Sequence, residues 1–99
     1  MAKRTIVWTQ KANAERKEIL AYWIERNQSK AYSIKLNNLI RESLQLSARY
    51  PNTGRKTTFE NVRVKIIRDY LIFYQADNTT LVVLAIWDER RNDQSLNLV

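Results

Sequence analysis

The apolar positions change their period twice along the chain. Thr5-Ile6-Val7-Trp8 alternates β-branched and aromatic side chains behind Lys3 and Arg4, a short strand pattern. From Gln10 to about Asn27 the residues are good helix formers without Gly or Pro, and Ala12, Ile19, Leu20, Trp23 and Ile24 recur near the 3.6 period, with Thr9 placed to cap the start. Asn27-Gln28-Ser29 interrupts this run. Ser29 is then the expected cap of a second helix reaching about Tyr50, with a stripe of Tyr32, Leu36, Leu39, Ile40, Ser43, Leu46, Ser47 and Tyr50. So short a link makes the two helices antiparallel neighbours.

Pro51-Asn52-Thr53-Gly54 holds the chain's one proline and one glycine, and beyond it the period falls to two. Val62-Arg63-Val64-Lys65-Ile66 alternates strictly, putting the three aliphatic residues on one face and the two cations on the other. Arg68-Asp69 makes a tight turn into a strand over Tyr70 to Gln75. Asp77-Asn78 supplies the next turn, and Thr80 to Trp87 forms the last strand. Asp88 to Val99 is polar, then weakly apolar, with no element expected. One leading strand, a helical hairpin and a three-stranded antiparallel meander predict a single α+β domain over residues 1–99, its first strand joining the sheet at an edge or between meander strands.

The last two strands depart from simple alternation. Tyr70-Leu71-Ile72-Phe73-Tyr74 and Leu81-Val82-Val83-Leu84-Ala85-Ile86-Trp87 are apolar at both parities, so both faces of that part of the sheet are hydrophobic, while two helices cover one. The other face needs a cover: the C-terminal segment with Leu96, Leu98 and Val99, a second copy, or a different protein. Arg63 and Lys65 are expected on that same face beside Leu71 and Phe73, so it combines apolar surface with positive charge and suits an acidic amphipathic or extended partner.

Composition narrows the chemistry. Cysteine and histidine are both absent, which excludes disulfides, Cys/His zinc centres and every mechanism using imidazole or thiolate. Catalysis would fall to Lys, Arg, Tyr, Asp or Glu, and no cofactor or metal is expected. Seventeen Lys and Arg against ten Asp and Glu give a formal charge of +7, favouring nucleic acid, an acidic protein or an anionic surface. No apolar run approaches the roughly 20 residues of a membrane span or forms a signal peptide, so the expected location is cytoplasmic, with no membrane partner.

The order of these pieces resembles the RelE/ParE superfamily of type II toxin–antitoxin modules. The likeness runs through Trp8 with Ala12, Tyr22, the Pro51-x-x-Gly54 break, Val62-Arg63-Val64-Lys65, Tyr70-Leu71-Ile72-Phe73-Tyr74 and Ile86-Trp87-Asp88-Glu89-Arg90-Arg91-Asn92-Asp93. It covers nearly the whole chain; each piece alone is a weak motif. The resemblance implies a growth-inhibiting toxin neutralised by a cognate acidic antitoxin, as in plasmid stabilization modules, with a homodimer and a toxin–antitoxin heterotetramer both open. It implies two kinds of action. ParE-like members bind DNA gyrase, whereas RelE-like members cleave messenger RNA on the ribosome without metal.

The RelE-like pattern carries over to Arg63 and Lys65 as the paired strand cations and to Arg90 or Arg91 as the arginine after the last strand. Two departures weigh against a nuclease: Leu71 stands where that branch holds a phosphate-binding arginine, and no tyrosine follows Arg91. A hydrophobic side chain cannot stabilise a phosphorane. The binding reading, with Arg63, Lys65, Leu71, Phe73 and Trp87 facing an antitoxin or target, is therefore preferred, and the endoribonuclease is the alternative.

Overall fold

A computed structural model describes residues 3–89. Strand β1 (Thr5–Trp8) leads into helix α1 (Gln10–Asn27) and helix α2 (Ala31–Arg49). A 3₁₀ turn at Pro51–Thr53 follows, then β2 (Arg55–Lys56), β3 (Arg63–Ile67), β4 (Tyr70–Ala76) and β5 (Thr80–Asp88). The five strands form one sheet in the order β1-β5-β4-β3-β2, antiparallel except that β1 runs parallel to β5. The leading strand thus joins at an edge, beside the end of the meander. The two-residue β2 is an addition to the expected strands; its exposed Arg-Lys pair carries no apolar alternation to betray it.

Local chemistry explains most boundaries. Thr9 caps α1, its hydroxyl accepting from the Ala12 amide at 3.0 Å. Gln28 ends the helix in the left-handed region (φ 51), and its amide bonds back to Glu25 and Ile24 carbonyls. Ser29 lies one residue further out than expected: Lys30 occupies the cap position of α2 without a side-chain bond, while the Ser29 hydroxyl accepts from Ala31 N at 3.1 Å.

The buried stripe of α2 is Ser33, Leu36, Ile40, Leu44, Ser47 and Ala48, rotated from the expected one, which leaves Leu46 and Tyr50 exposed. The displacement follows from what α2 meets. Small Ser33, Ser47 and Ala48 allow close approach to α1 and the sheet: Ser33 Oγ donates to the Leu20 carbonyl at 2.6 Å, and the Ala48 carbonyl accepts from Arg4 N at 3.3 Å.

Against the helices packs the main core, with Tyr70, Ile72 and Tyr74 of β4 and Leu81, Val83 and Ile86 of β5 fully or nearly buried. A second cluster, built around Val62, Phe73 and Ala85 with Val64, Leu71, Leu84 and Trp87 against it, occupies the opposite face. The expectation of two apolar faces is met. A register shift explains its form: Phe73 lies opposite Ala85 but Tyr74 opposite Val83, so Leu84 is skipped and β5 changes which parity faces the helices. Odd residues Leu81 and Val83 point to the helices before the bulge, and even Ile86 does so after it.

The helices also protect an open strand edge. β1 ends at Trp8, paired with Val83, and past it the Leu84 carbonyl accepts from Thr9 Oγ1 at 3.3 Å while Ile86 N donates to Glu15 Oε1 at 3.1 Å. No helix among the described residues is long and apolar enough to cross a membrane.

Candidate functional site

Register decides which candidate residues meet. Residues directly opposite in an antiparallel ladder lie on the same face. Leu71 is opposite Trp87, and Phe73 is opposite both Val64 and Ala85, so Leu71, Phe73 and Trp87 converge on the face away from the helices. Arg63 is opposite Tyr74 and Lys65 opposite Ile72, which puts both cations on the helix side. This corrects the expected combination of Arg63 and Lys65 with Leu71 and Phe73 on one face. Alternation separates two sets of residues but does not say which set meets the helices. Here the helices lie over β1, β5 and β4, and on β3 only Ile67 joins their core. The start of β3 is free of helix on that side, so a cation can occupy it.

Arg63 is held there by backbone. Its guanidinium Nη1 donates to the Gly54 carbonyl at 2.8 Å and to the Asn52 carbonyl at 3.4 Å, tying β3 to the turn. Tyr74 completes the attachment, donating from its hydroxyl to the Pro51 carbonyl at 2.6 Å and accepting from Gly54 N at 3.1 Å. Gly54 has an ordinary φ of −76, so its conformation does not require glycine. Close approach does: a Cβ there would lie 2.4 Å from the Tyr74 hydroxyl. The Pro-x-x-Gly break is thus a seat for Tyr74, a role the sequence signals only as punctuation. Beside it lies a cleft of about 480 Å³ whose lining includes Lys56, Phe59, Asn61 and Arg63.

Chemically, the arrangement separates charge from apolar surface. Arg63 already donates to two carbonyls, and the face with Leu71, Phe73 and Trp87 has no Arg or Lys among its clustered residues. Tyr70 and Tyr74 are 2% and 1% exposed, which makes them core residues rather than stacking platforms. Trp23 donates to the Tyr70 hydroxyl at 2.7 Å, and Trp8 packs on the same core, its ring 4.3 Å from the Arg16 guanidinium. Arg90 and Arg91 lie outside the described residues. So does the C-terminal segment with Leu96, Leu98 and Val99. Among the described residues no group of three or more Asp or Glu is placed to hold a metal ion. Sequence reasoning missed Val62 and Val64 as members of the apolar cluster, since their parity alone gave them no face.

The model of the ParE toxin of the type II toxin–antitoxin system parDE matches residues 6–93. The chain belongs to the ParE toxin family. A solved structure, the chromosomal ParDE toxin–antitoxin system from P. aeruginosa, is similar to it with a TM-score of 0.71 and 18% sequence identity, covering 85% of this chain and 94% of that one. At that identity the likeness speaks for the fold. No curated protein matches the chain. Membership makes the chain a ParE toxin of a two-component module, and the RelE-like alternative is not favoured.

Proposed function

We propose that this ParE toxin stops growth by binding a protein target, with DNA gyrase the expected one, and that an acidic antitoxin neutralises it by covering the face with Leu71, Phe73 and Trp87. The observation that carries the binding reading is the separation of cations from that face. Arg63 is engaged by the Gly54 and Asn52 carbonyls, and Leu71 sits where a nuclease of this fold would need a phosphate-binding cation. Metal-free phosphodiester cleavage needs a base, an acid and a cation converging on one phosphate. An apolar cluster with charge kept off it suits an apolar partner surface better.

The test is a supercoiling reaction with relaxed plasmid, purified gyrase, ATP and the purified toxin. Loss of supercoiling, restored by adding the antitoxin, is expected. Unchanged supercoiling at large toxin excess would remove gyrase as the target. Message cut within the ribosomal A site of a translating extract would replace binding by RNA cleavage as the mode of action.

A further inference from the structure

The cleft beside the Pro51–Gly54 turn is lined by no residue of α1 or α2, and the strand register sets what faces it. Lys56 of β2 is opposite Arg63, and Arg63 is opposite Tyr74, so the three side chains form a row on one face. The row begins in the core at Tyr74 and ends at the exposed Lys56. Arg63 spends its Nη1 on the Asn52 and Gly54 carbonyls, which fixes the guanidinium without using its other nitrogens. Lys56 makes no ion pair among the described residues. The connection from β2 to β3 completes the lining, and it is tied to itself. Thr57 Oγ1 donates to the Val62 carbonyl at 2.9 Å and accepts from Phe59 N at 3.1 Å, Val62 N donates to the Phe59 carbonyl at 3.2 Å, and Asn61 takes a left-handed conformation (φ 62). This loop carries Phe59 with 43% of its surface exposed. A lone exposed phenylalanine needs no explanation; one held by a closed loop next to two cations does.

We propose that this cleft binds a nucleotide unit, its base against the Phe59 ring and its phosphate on Lys56 and Arg63. Each part of the ligand meets a matching group. Lysine and guanidinium N–H groups make charge-assisted bonds to phosphate oxygens. A fixed, exposed aromatic ring stacks on the flat face of any base. Asn52, Thr58 and Asn61 bring amide and hydroxyl groups for the polar edge of a base, and Glu60, the one carboxylate on the lining, accepts from sugar hydroxyls. The volume of about 480 Å³ lies within the range of small-ligand sites. An acidic peptide would satisfy the two cations but leave the ring and the side-chain amides unmatched. The nucleotide is either free or one unit of a single strand, and the recognition chemistry is the same for both. The site concerns binding alone and is independent of the target proposed above.

The experiment titrates the ¹⁵N-labelled full chain with adenosine 5′-monophosphate up to about 10 mM, a range that covers the roughly millimolar affinity of an open site for one small ligand. Chemical-shift changes should centre on residues 56–63. Adenosine and inorganic phosphate, each with half of the recognised groups, should bind at least tenfold more weakly. Phe59→Ala and Lys56→Gln change exposed positions and are checked for native circular dichroism. Each should weaken binding of the nucleotide about tenfold, and Phe59→Ala should leave binding of inorganic phosphate unchanged. A deoxyadenylate hexamer that binds at least tenfold more tightly than the mononucleotide, with a steeper salt dependence, assigns the site to a single strand; no gain assigns it to the free nucleotide. Inorganic phosphate binding as well as the nucleotide, an undiminished Phe59→Ala variant, or shifts spread over Lys and Arg elsewhere would overturn the proposal. Equal binding of acetyl-Glu-Glu-Glu-amide would overturn it too, giving the cleft to an acidic peptide. None of these readouts depends on gyrase, so failure of the cleft and failure of the toxin reading are distinguishable.

Discussion

The Tyr74 hydroxyl bonds both ends of the Pro51–Gly54 turn, and its ring fills the space a side chain at residue 54 would need. Tyr74→Phe leaves the buried Gly54 N–H without an acceptor and is expected to cost about 2–3 kcal/mol in urea unfolding. Gly54→Ala should cost a similar amount by overlap, about 1–3 kcal/mol, and the double variant should lose less than the sum, since removing the hydroxyl opens the space. Additivity would show that the two residues act separately. Ser47 makes the opposite case. It is fully buried on α2 and its hydroxyl has no hydrogen-bond partner among the described residues. Ser47→Ala is expected to stabilise by roughly 1 kcal/mol, and an appreciable loss in the same unfolding assay would show that the hydroxyl is bonded in solution.

At the scale of elements, the β4–β5 turn is held by one carboxylate. Asp77 Oδ1 accepts from Thr79 N at 2.8 Å and Thr80 N at 2.7 Å, and the Asp77 carbonyl accepts from Arg4, the residue before β1. The bond from Thr79 N, then that from Thr80 N, hold the Asp77 pKa below the ordinary carboxylate value, with Arg4 adding to them. Lower in the folded than in the unfolded state, this pKa makes a contribution to stability that is complete above the unfolded value of 3.8 and is lost as pH falls through the folded one. Asp77→Asn should therefore reduce the decline of melting temperature on acidification below about pH 4. An unchanged acid limb would show that the turn does not discriminate between the charged and neutral carboxyl.

The helices were legible because their apolar residues keep a period, as from Ala12 to Ile24, and the last two strands because short apolar runs at Tyr70–Tyr74 and Leu81–Trp87 are bounded by turn residues. Three features were not. β2 is two exposed residues long, too short to have a period. The face taken by Arg63 and Lys65 depends on how far the helices extend over β3, which nothing within Val62–Ile66 encodes. The bulge at Leu84 hides in a run where every residue is apolar, so parity could not reveal the switch from Val83 to Ile86. The rotation of the α2 stripe belongs here too, since serine and alanine, weak markers of burial, hold the positions of closest approach.

The whole molecule separates long-range from short-range recognition. The +7 charge acts at a distance and is screened by salt, whereas on the proposed docking face the partly exposed Leu71 and Trp87 would act on contact, Phe73 being buried. Association with an acidic antitoxin should slow markedly as ionic strength rises from about 0.01 to 0.15 M, with dissociation little changed. Trp87→Ala, by contrast, should raise the dissociation rate at least tenfold with association barely altered, about 2 kcal/mol for a hot-spot aromatic. Stopped-flow measurement separates the two effects, and a Trp87→Ala complex of unchanged lifetime would move the interface elsewhere.

The parallel pairing of β1 with β5 has a consequence for biosynthesis. Thr5 meets Thr80 and Trp8 meets Val83, so among the described residues the first strand made is matched by the last. Until β5 leaves the ribosome, β1 has no neighbour in the sheet and Tyr70, Ile72 and Tyr74 lack the strand beside them. A nascent chain is thus held short of its native sheet by its own topology until β5 has been made.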